Sequence, residues 1–443
     1  MEIIQNIFNW IINNLLQQTA VIIGGMVILG KIADRKRFTE ILQGFIKAVI
    51  GYTIFSLGIN SFIGVMGDLG TMISNVLNVP DMKLSATYLT DYGMYYGPII
   101  GFGFLLHLLI ERFLIPRKYR FVYMGGGHFL LREAVATSAI AICIYGVTNI
   151  WAIIIFGSVM SAIWYSLQPI YVHKFVSALR GDNLCGYGHQ SSIAVFITCH
   201  LCNLLKLKKN EEDSTENIIF PKGIAFMRDM GCAITIIVGL LLLGFGIACG
   251  GSTVQEIAGI TTDPWVWIIL QACTFAGGFL TFTFGLRTMM AELIPSFNGI
   301  SEKIIPGARP ALDVPTVFPF GTNAVFIGST VSIAVFLVLM VISSVAGWGF
   351  LFPAVQCLFM SGAGVAVFGN KFGGKKGAVL GGVVTAVLMA GGLLLLQFLL
   401  GQDVYNLANY ATIMGEVDDY WICIPIYLLA GRIFGERIVP FGA

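Results

Sequence analysis

Long apolar stretches recur along this chain, most of them near the roughly 20 residues that a helix needs to cross the hydrocarbon core of a bilayer. They fall at 20–32, 41–66, 94–114, 133–147 and 150–170 and, after one long polar run, at 230–250, 265–289, 323–346, 377–400 and 420–434. Three further apolar segments, 123–131, 184–205 and 351–372, are broken by glycine or polar residues. A soluble fold could not cover this chain, because 56% of its 443 residues are hydrophobic and only 11% are charged, against roughly 25% charged in an ordinary soluble domain. The expected fold class is an all-α polytopic membrane protein, with about 11 transmembrane helices at about 40 residues per span and connection. A soluble enzyme, a nucleic-acid binder and a single-span receptor are excluded; the net charge is only +2.

The basic residues set the orientation. Lys31, Arg35, Lys36 and Arg37 follow the first span, Arg112, Arg117, Lys118 and Arg120 the third, and Lys206, Lys208 and Lys209 open the polar run. Such loops stay in the cytoplasm. With Lys371, Lys375, Lys376, Arg432 and Arg437 on the same side, the N-terminus lies outside and the C-terminus is cytoplasmic. The opening MEIIQNIFNWIINNLLQQ carries no basic n-region or small-residue cleavage site and reads as an interfacial amphipathic helix. The polar run KLKKNEEDSTENIIFPKG (206–223) reads as a solvated cytoplasmic linker between two halves, 1–205 and 224–443.

Those halves share a motif. GYTIFSLGINS (51–61) aligns with GFLTFTFGLRT (278–288), so that Gly51, Phe55 and Gly58 match Gly278, Phe282 and Gly285. Each copy leads into a polar segment broken by glycine and proline, 68–96 and 295–320, and Thr87 and Asp313 follow their motifs at nearly equal distance. Non-helical backbone at membrane depth survives only where protein or a wet cavity surrounds it, and paired interruptions mark a transporter's binding site. Two inverted repeats with re-entrant hairpins are expected, the substrate site lying between them.

Ionisable residues inside apolar segments are costly and therefore candidates for function. His128, Arg132 and Glu133 lie in GGGHFLLRE, where His128 and Arg132 would share a helix face; the other reading is an Arg–Glu pair with a satisfied histidine. His189 and Gln190, in CGYGHQSS, offer donors and acceptors suited to a polyhydroxylated ligand. Asp313 is isolated among Pro310, Leu312, Val314 and Pro315, as a ligand-binding carboxylate, a base or a helix N-cap. Glu292 is expected to partner Arg287 or a helix terminus, and Glu416, Asp418 and Asp419 to lie in a polar connection. The pair Cys199 and Cys202 around His200 lacks the second ligand pair of a zinc site, and reads as packing. There is no Walker loop, no GxSxG elbow and no metal-ligand cluster in the sequence, so neither metal nor cofactor is expected.

At these residues the chain resembles the ascorbate-type enzyme IIC of the bacterial phosphotransferase system. The resemblance rests on SFNGISEKIIPGA (296–308), ALD (311–313), NAV (323–325), GHQ (188–190) and FGNKFGG (368–374). It implies a homodimeric inner-membrane permease in which a core domain carrying the substrate moves against a dimerising scaffold domain. A separate phosphocysteine IIB protein, recharged by IIA, would phosphorylate the small carbohydrate as it is released inside. The substrate contacts carried over are Thr87, Tyr88, His128, His189, Gln190 and Asp313, with Arg132 added from its position and Asp313 or His189 as the catalytic base. Ascorbate permeases tend to carry a glutamine pair where this chain has Arg132 and Glu133, and further glutamine where it has Ser191 and Ser192. The implied substrate is thus ascorbate or a related polyol, pentose or acidic sugar derivative. The other functional class left open by the residues is an ion-coupled secondary transporter.

Overall fold

The computed structural model describes residues 19–76, 93–125, 127–208, 210–218, 230–349, 351, 354–400 and 416–434. The described helices are α1 (Thr19–Ala33), α2 (Phe38–Val76), α3 (Gly93–Phe113), α4 (Gly127–Tyr145), α5 (Ile150–Arg180), α6 (Ser192–Leu204), α7 (Met230–Cys249), α8 (Gly251–Ala258), α9 (Pro264–Gly299), α10 (Thr322–Ala346), α11 (Val355–Leu400) and α12 (Val417–Phe434). Among the described residues six are long and apolar enough to cross a membrane, or seven if α7 and α8, which meet at 114° across Gly250, form one bent span. The protein is an all-α polytopic membrane protein with one small addition, described below.

With no hydrophobic drive between helices in lipid, small residues bring backbones together. The two motif helices, α2 and α9, pack directly on one another. A Cβ on Gly51 would lie 2.4 Å from the Met289 nitrogen, and one on Gly285 2.2 Å from the Phe55 nitrogen. Helix α1 joins them, with Gly30 against the backbone of Ser296. Glu292 closes this bundle by pairing with Lys31 at 2.7 Å and Lys47 at 3.7 Å. Its partners therefore come from α1 and α2 rather than from Arg287, one turn away on its own helix.

Helix α11 is two arms of a hairpin. Gly374 takes φ 61°, ψ −151°, and the chain folds back so that Gly369 meets the Gly377 carbonyl and Gly381 meets Ala366. The turn falls between the expected segments 351–372 and 377–400. The described part of the polar run is docked as well as charged: the Asn370 side chain accepts from the Thr215 N–H at 2.8 Å, and Glu216 accepts from the Asn323 N–H at 2.9 Å at the start of α10. Asn323 and Asn370, both from the motifs that carry the resemblance, are thus a clamp on this segment.

The addition is a three-stranded parallel sheet of β1 (Phe121–Met124), β2 (Gly186–Tyr187) and β3 (Arg309–Leu312), in the order β1-β3-β2. Phe121 pairs with Arg309 and Met124 with Leu312, while Gly186 and Tyr187 pair with Ala311 and Leu312. A sheet edge inside a bilayer protein needs partners for its free N–H groups. Helix α3 supplies them: the Phe121 N–H donates to Glu111 Oε2 at 2.9 Å and the Tyr123 N–H to His107 Nε2 at 3.0 Å. That fixes the His107 proton on Nδ1, which donates to Ser166 Oγ at 2.8 Å. Both side chains are fully buried, and their role is to satisfy the strand.

Candidate functional site

Each strand hands over, at its carboxyl end, to one of the polar segments singled out in the sequence. After β1 come the glycines and α4 with His128, Arg132 and Glu133; after β2 come Gly188, His189 and Gln190 and then α6; after β3 comes Asp313 and a 3-10 turn, Val314–Phe320. Because the strands are parallel, these segments converge. In open parallel sheets ligands gather at the carboxyl ends, and here three helical N-termini add their partial positive charge at one place. The glycines permit the approach: a Cβ on Gly125 would lie 2.5 Å from the Gly188 carbonyl, and one on Gly188 2.9 Å from the Ala311 carbonyl.

The imidazole of His189 is fully buried and held by its neighbours. Nδ1 lies 2.8 Å from Ser191 Oγ, which is 2.7 Å from the Tyr187 hydroxyl, and the backbone carbonyl of His189 accepts from Gln168 Nε2 at 2.8 Å. Nε2 is thereby turned toward Asp313, 4.0 Å from Oδ1. That separation is beyond a hydrogen bond, and a ligand hydroxyl seated between the two groups could bond to both. Asp313 is 12% exposed at its side chain and also accepts from the Val314 N–H. It is therefore an N-cap, and it faces the histidine.

Arg132 is paired, but not with Glu133. Its Nη1 donates to Glu416 Oε1 at 2.9 Å and to Cys357 Sγ at 3.2 Å. Glu133 is buried beside the Gln190 amide. Glu416, Asp418 and Asp419 are correspondingly not in a solvated connection; all three are buried. Asp418 caps α6: Oδ2 accepts from the Ser192 N–H at 3.2 Å and from Gln168 Nε2 at 3.1 Å, Oδ1 from the Ile193 N–H at 3.0 Å, and the Ser192 hydroxyl donates as well. The Asp418 N–H in turn donates to the Gln190 carbonyl at 2.8 Å. The two serines that depart from the glutamine pattern thus have assigned work, Ser191 on His189 and Ser192 on Asp418.

The structure therefore brings together Arg132, Glu133, His189, Gln190 and Asp313. Thr87 and Tyr88 lie outside the described residues, and of His128 only its place in the first turn of α4 is described. Sequence reasoning missed Gln168, His107, Glu111 and the Glu416–Asp419 group. The first three carried a signal: each is a polar residue in an otherwise apolar span. The acidic group was misread because charges clustered after a long apolar run look like a loop. Cys199 and Cys202 are buried, and His200 packs on Phe196 and Phe175 at ring distances of 4.4 and 5.2 Å.

A bundle of membrane-length helices enclosing a buried polar site at one end of a small parallel sheet defines a multi-pass membrane protein with an internal site. The family model for the PTS system sugar-specific permease component matches residues 14–417, and the chain belongs to that family. It is also similar to the ascorbate-specific PTS system EIIC component of Mycoplasma pneumoniae, with 23% identity over 425 residues, covering 83% of this chain and 63% of that relative. The chain thus spans less than two thirds of that relative's own length. The family resemblance carried by the 296–308 and 188–190 motifs is borne out.

Proposed function

We propose that this chain is a phosphotransferase-system IIC permease that takes ascorbate or a related small carbohydrate inward. The observation that carries the reading is the meeting of His189, Gln190 and Asp313 at the carboxyl ends of three strands drawn from both halves of the chain. Donors, acceptors and a carboxylate in a buried, glycine-lined place suit a ligand with many hydroxyls. Thr87, Tyr88, His128 and Arg132 complete the proposed contacts. Asp313 or His189 orients, and as a base accepts the proton of, the hydroxyl that attacks the phosphocysteine of a separate IIB protein. IIA recharges that protein.

In this reading the permease is a homodimer of about 11 spans per chain. Two inverted repeats around the site support an elevator movement of a core domain against a scaffold. The close α2–α9 contact at the paired motifs supports the repeat. The chain sits in a bacterial cell membrane with its N-terminus outside and C-terminus cytoplasmic, following the basic loops.

Uptake into vesicles tests the reading. Phosphorylated product that requires IIB and IIA is expected; free product driven by a proton gradient would sink it in favour of ion-coupled transport. One observation favours that second reading: Glu133, Asp418 and Asp419 are buried together beside the Arg132–Glu416 pair, the kind of grouping that carries protons in pumps. For the site itself, Asp313→Asn and His189→Ala are expected to abolish substrate binding by calorimetry while the unfolding temperature holds. Unchanged affinity in either variant removes that residue from the site.

A further inference from the structure

The amino ends of the same three strands open onto a different place. The segments entering them line an open cavity of about 570 Å³, with Arg117 and Lys118 before β1, Asn183 before β2, Arg309 opening β3, and His173 of α5 on the wall. We propose that this cavity binds a phosphate group.

No carboxylate lines it, and among the described residues none of Arg117, Lys118 and Arg309 stands in an ion pair. The nearby Arg180 is already matched by Asp182 at 3.2 Å. Arg309 is nonetheless fixed in place. Its guanidinium stacks on Phe121 at 4.4 Å, donates from Nη1 to His173 Nε2 at 3.0 Å, and donates from Nη2 to the Lys118 carbonyl at 2.5 Å. All of these partners are neutral, and among the described residues no carboxylate pairs with it. Because His173 Nε2 accepts that bond, the ring proton sits on Nδ1, which is buried beside Asn183, so the ring serves to hold Arg309. A held guanidinium and two exposed cations lining one cavity match the acceptor-only oxygens of a phosphate dianion. The cavity is wide enough for a phosphate and the small molecule or loop that carries it.

The two sites lie on one frame. Asp313 follows β3 and Arg309 begins it, about 13 Å apart at ~3.3 Å per residue. Placing the cavity on the cytoplasmic face rests on the proposed function; phosphate binding does not.

The test is calorimetry on the purified full chain in phosphatidylcholine nanodiscs, with inorganic phosphate, ribose 5-phosphate and ribose as probes. Both phosphates are expected to bind and ribose not to compete. Arg117→Gln with Lys118→Gln, both exposed side chains, should lower phosphate affinity roughly tenfold at an unchanged unfolding temperature. Arg309→Lys should weaken binding separately by removing the fork while keeping the charge. Equal affinity in wild type and both variants overturns the proposal; loss of phosphate binding when phosphatidylglycerol replaces part of the lipid assigns the phosphate group to a lipid headgroup. Tighter binding of ribose 5-phosphate than of phosphate assigns the group to a released sugar phosphate. Displacement of phosphate by phosphorylated IIB protein, and not by the unphosphorylated form, assigns it to the partner. Failure of phosphorylation-coupled uptake would remove the functional reading and leave this site standing.

Discussion

Glu111 and Asp418 are both buried carboxylates that accept backbone N–H groups around the small sheet, but they reach it from opposite directions. Glu111 comes from the helix just before β1 and takes one backbone donor, with His107 3.9 Å away. Asp418 comes from the far end of the chain and takes two backbone N–H groups, an amide and a hydroxyl. The first is a local brace. The second ties α12 to α5, α6 and the His189 loop, so the geometry at the carboxyl ends depends on a helix remote in sequence. A buried polar group is costly in proportion to the bonds it fails to make, so the two carboxylates should differ in how much stability each commands.

Asp418→Ala is expected to cost most, about 3–6 kcal/mol, because several buried donors lose their acceptor at about 1–3 kcal/mol each. Thermal unfolding of the purified protein measures it, and a loss no greater than that of Glu111→Gln would erase the distinction. Next is Arg132→Gln, which strands buried Glu416 and should cost about 3 kcal/mol; Arg132→Gln with Glu416→Gln should recover much of the loss, which a double-mutant cycle reads directly. Gly285→Ala presses a methyl into the Phe55 backbone and should cost about 1–3 kcal/mol, without changing the affinity of any ligand held at the sheet. Glu111→Gln comes last at about 1 kcal/mol, since an amide oxygen can still accept from Phe121.

Against this contrast it is plain which parts could be read from residues alone. The long spans were legible because bilayer thickness imposes a length that composition cannot hide. His189, Gln190 and Asp313 were legible because polar groups among glycine and proline are too expensive to sit idle in an apolar segment. The sheet was not: strands of four and two residues have no periodicity to detect, and Phe121–Met124 reads as the start of the next apolar run. Asp418 was illegible for a different reason. Its donors, Ser192, Ile193 and Gln168, lie more than half the chain away, and nothing in VDDYW distinguishes a cap from a loop. Glu292 shows the same limit, since Lys31 and Lys47 outcompete the nearer Arg287 only once three helices are packed.

The strand order has a consequence for how the protein is made. β3, the central strand, belongs to the second half of the chain, while β1 and β2, which never touch each other, belong to the first. When the ribosome has delivered only the first half, both outer strands lack the partner that completes their ladder. The carboxyl-end site therefore cannot exist during the first part of synthesis, before β3 is made. Co-expressed halves, divided within the polar run, would form the site only after β3 of one had joined β1 and β2 of the other.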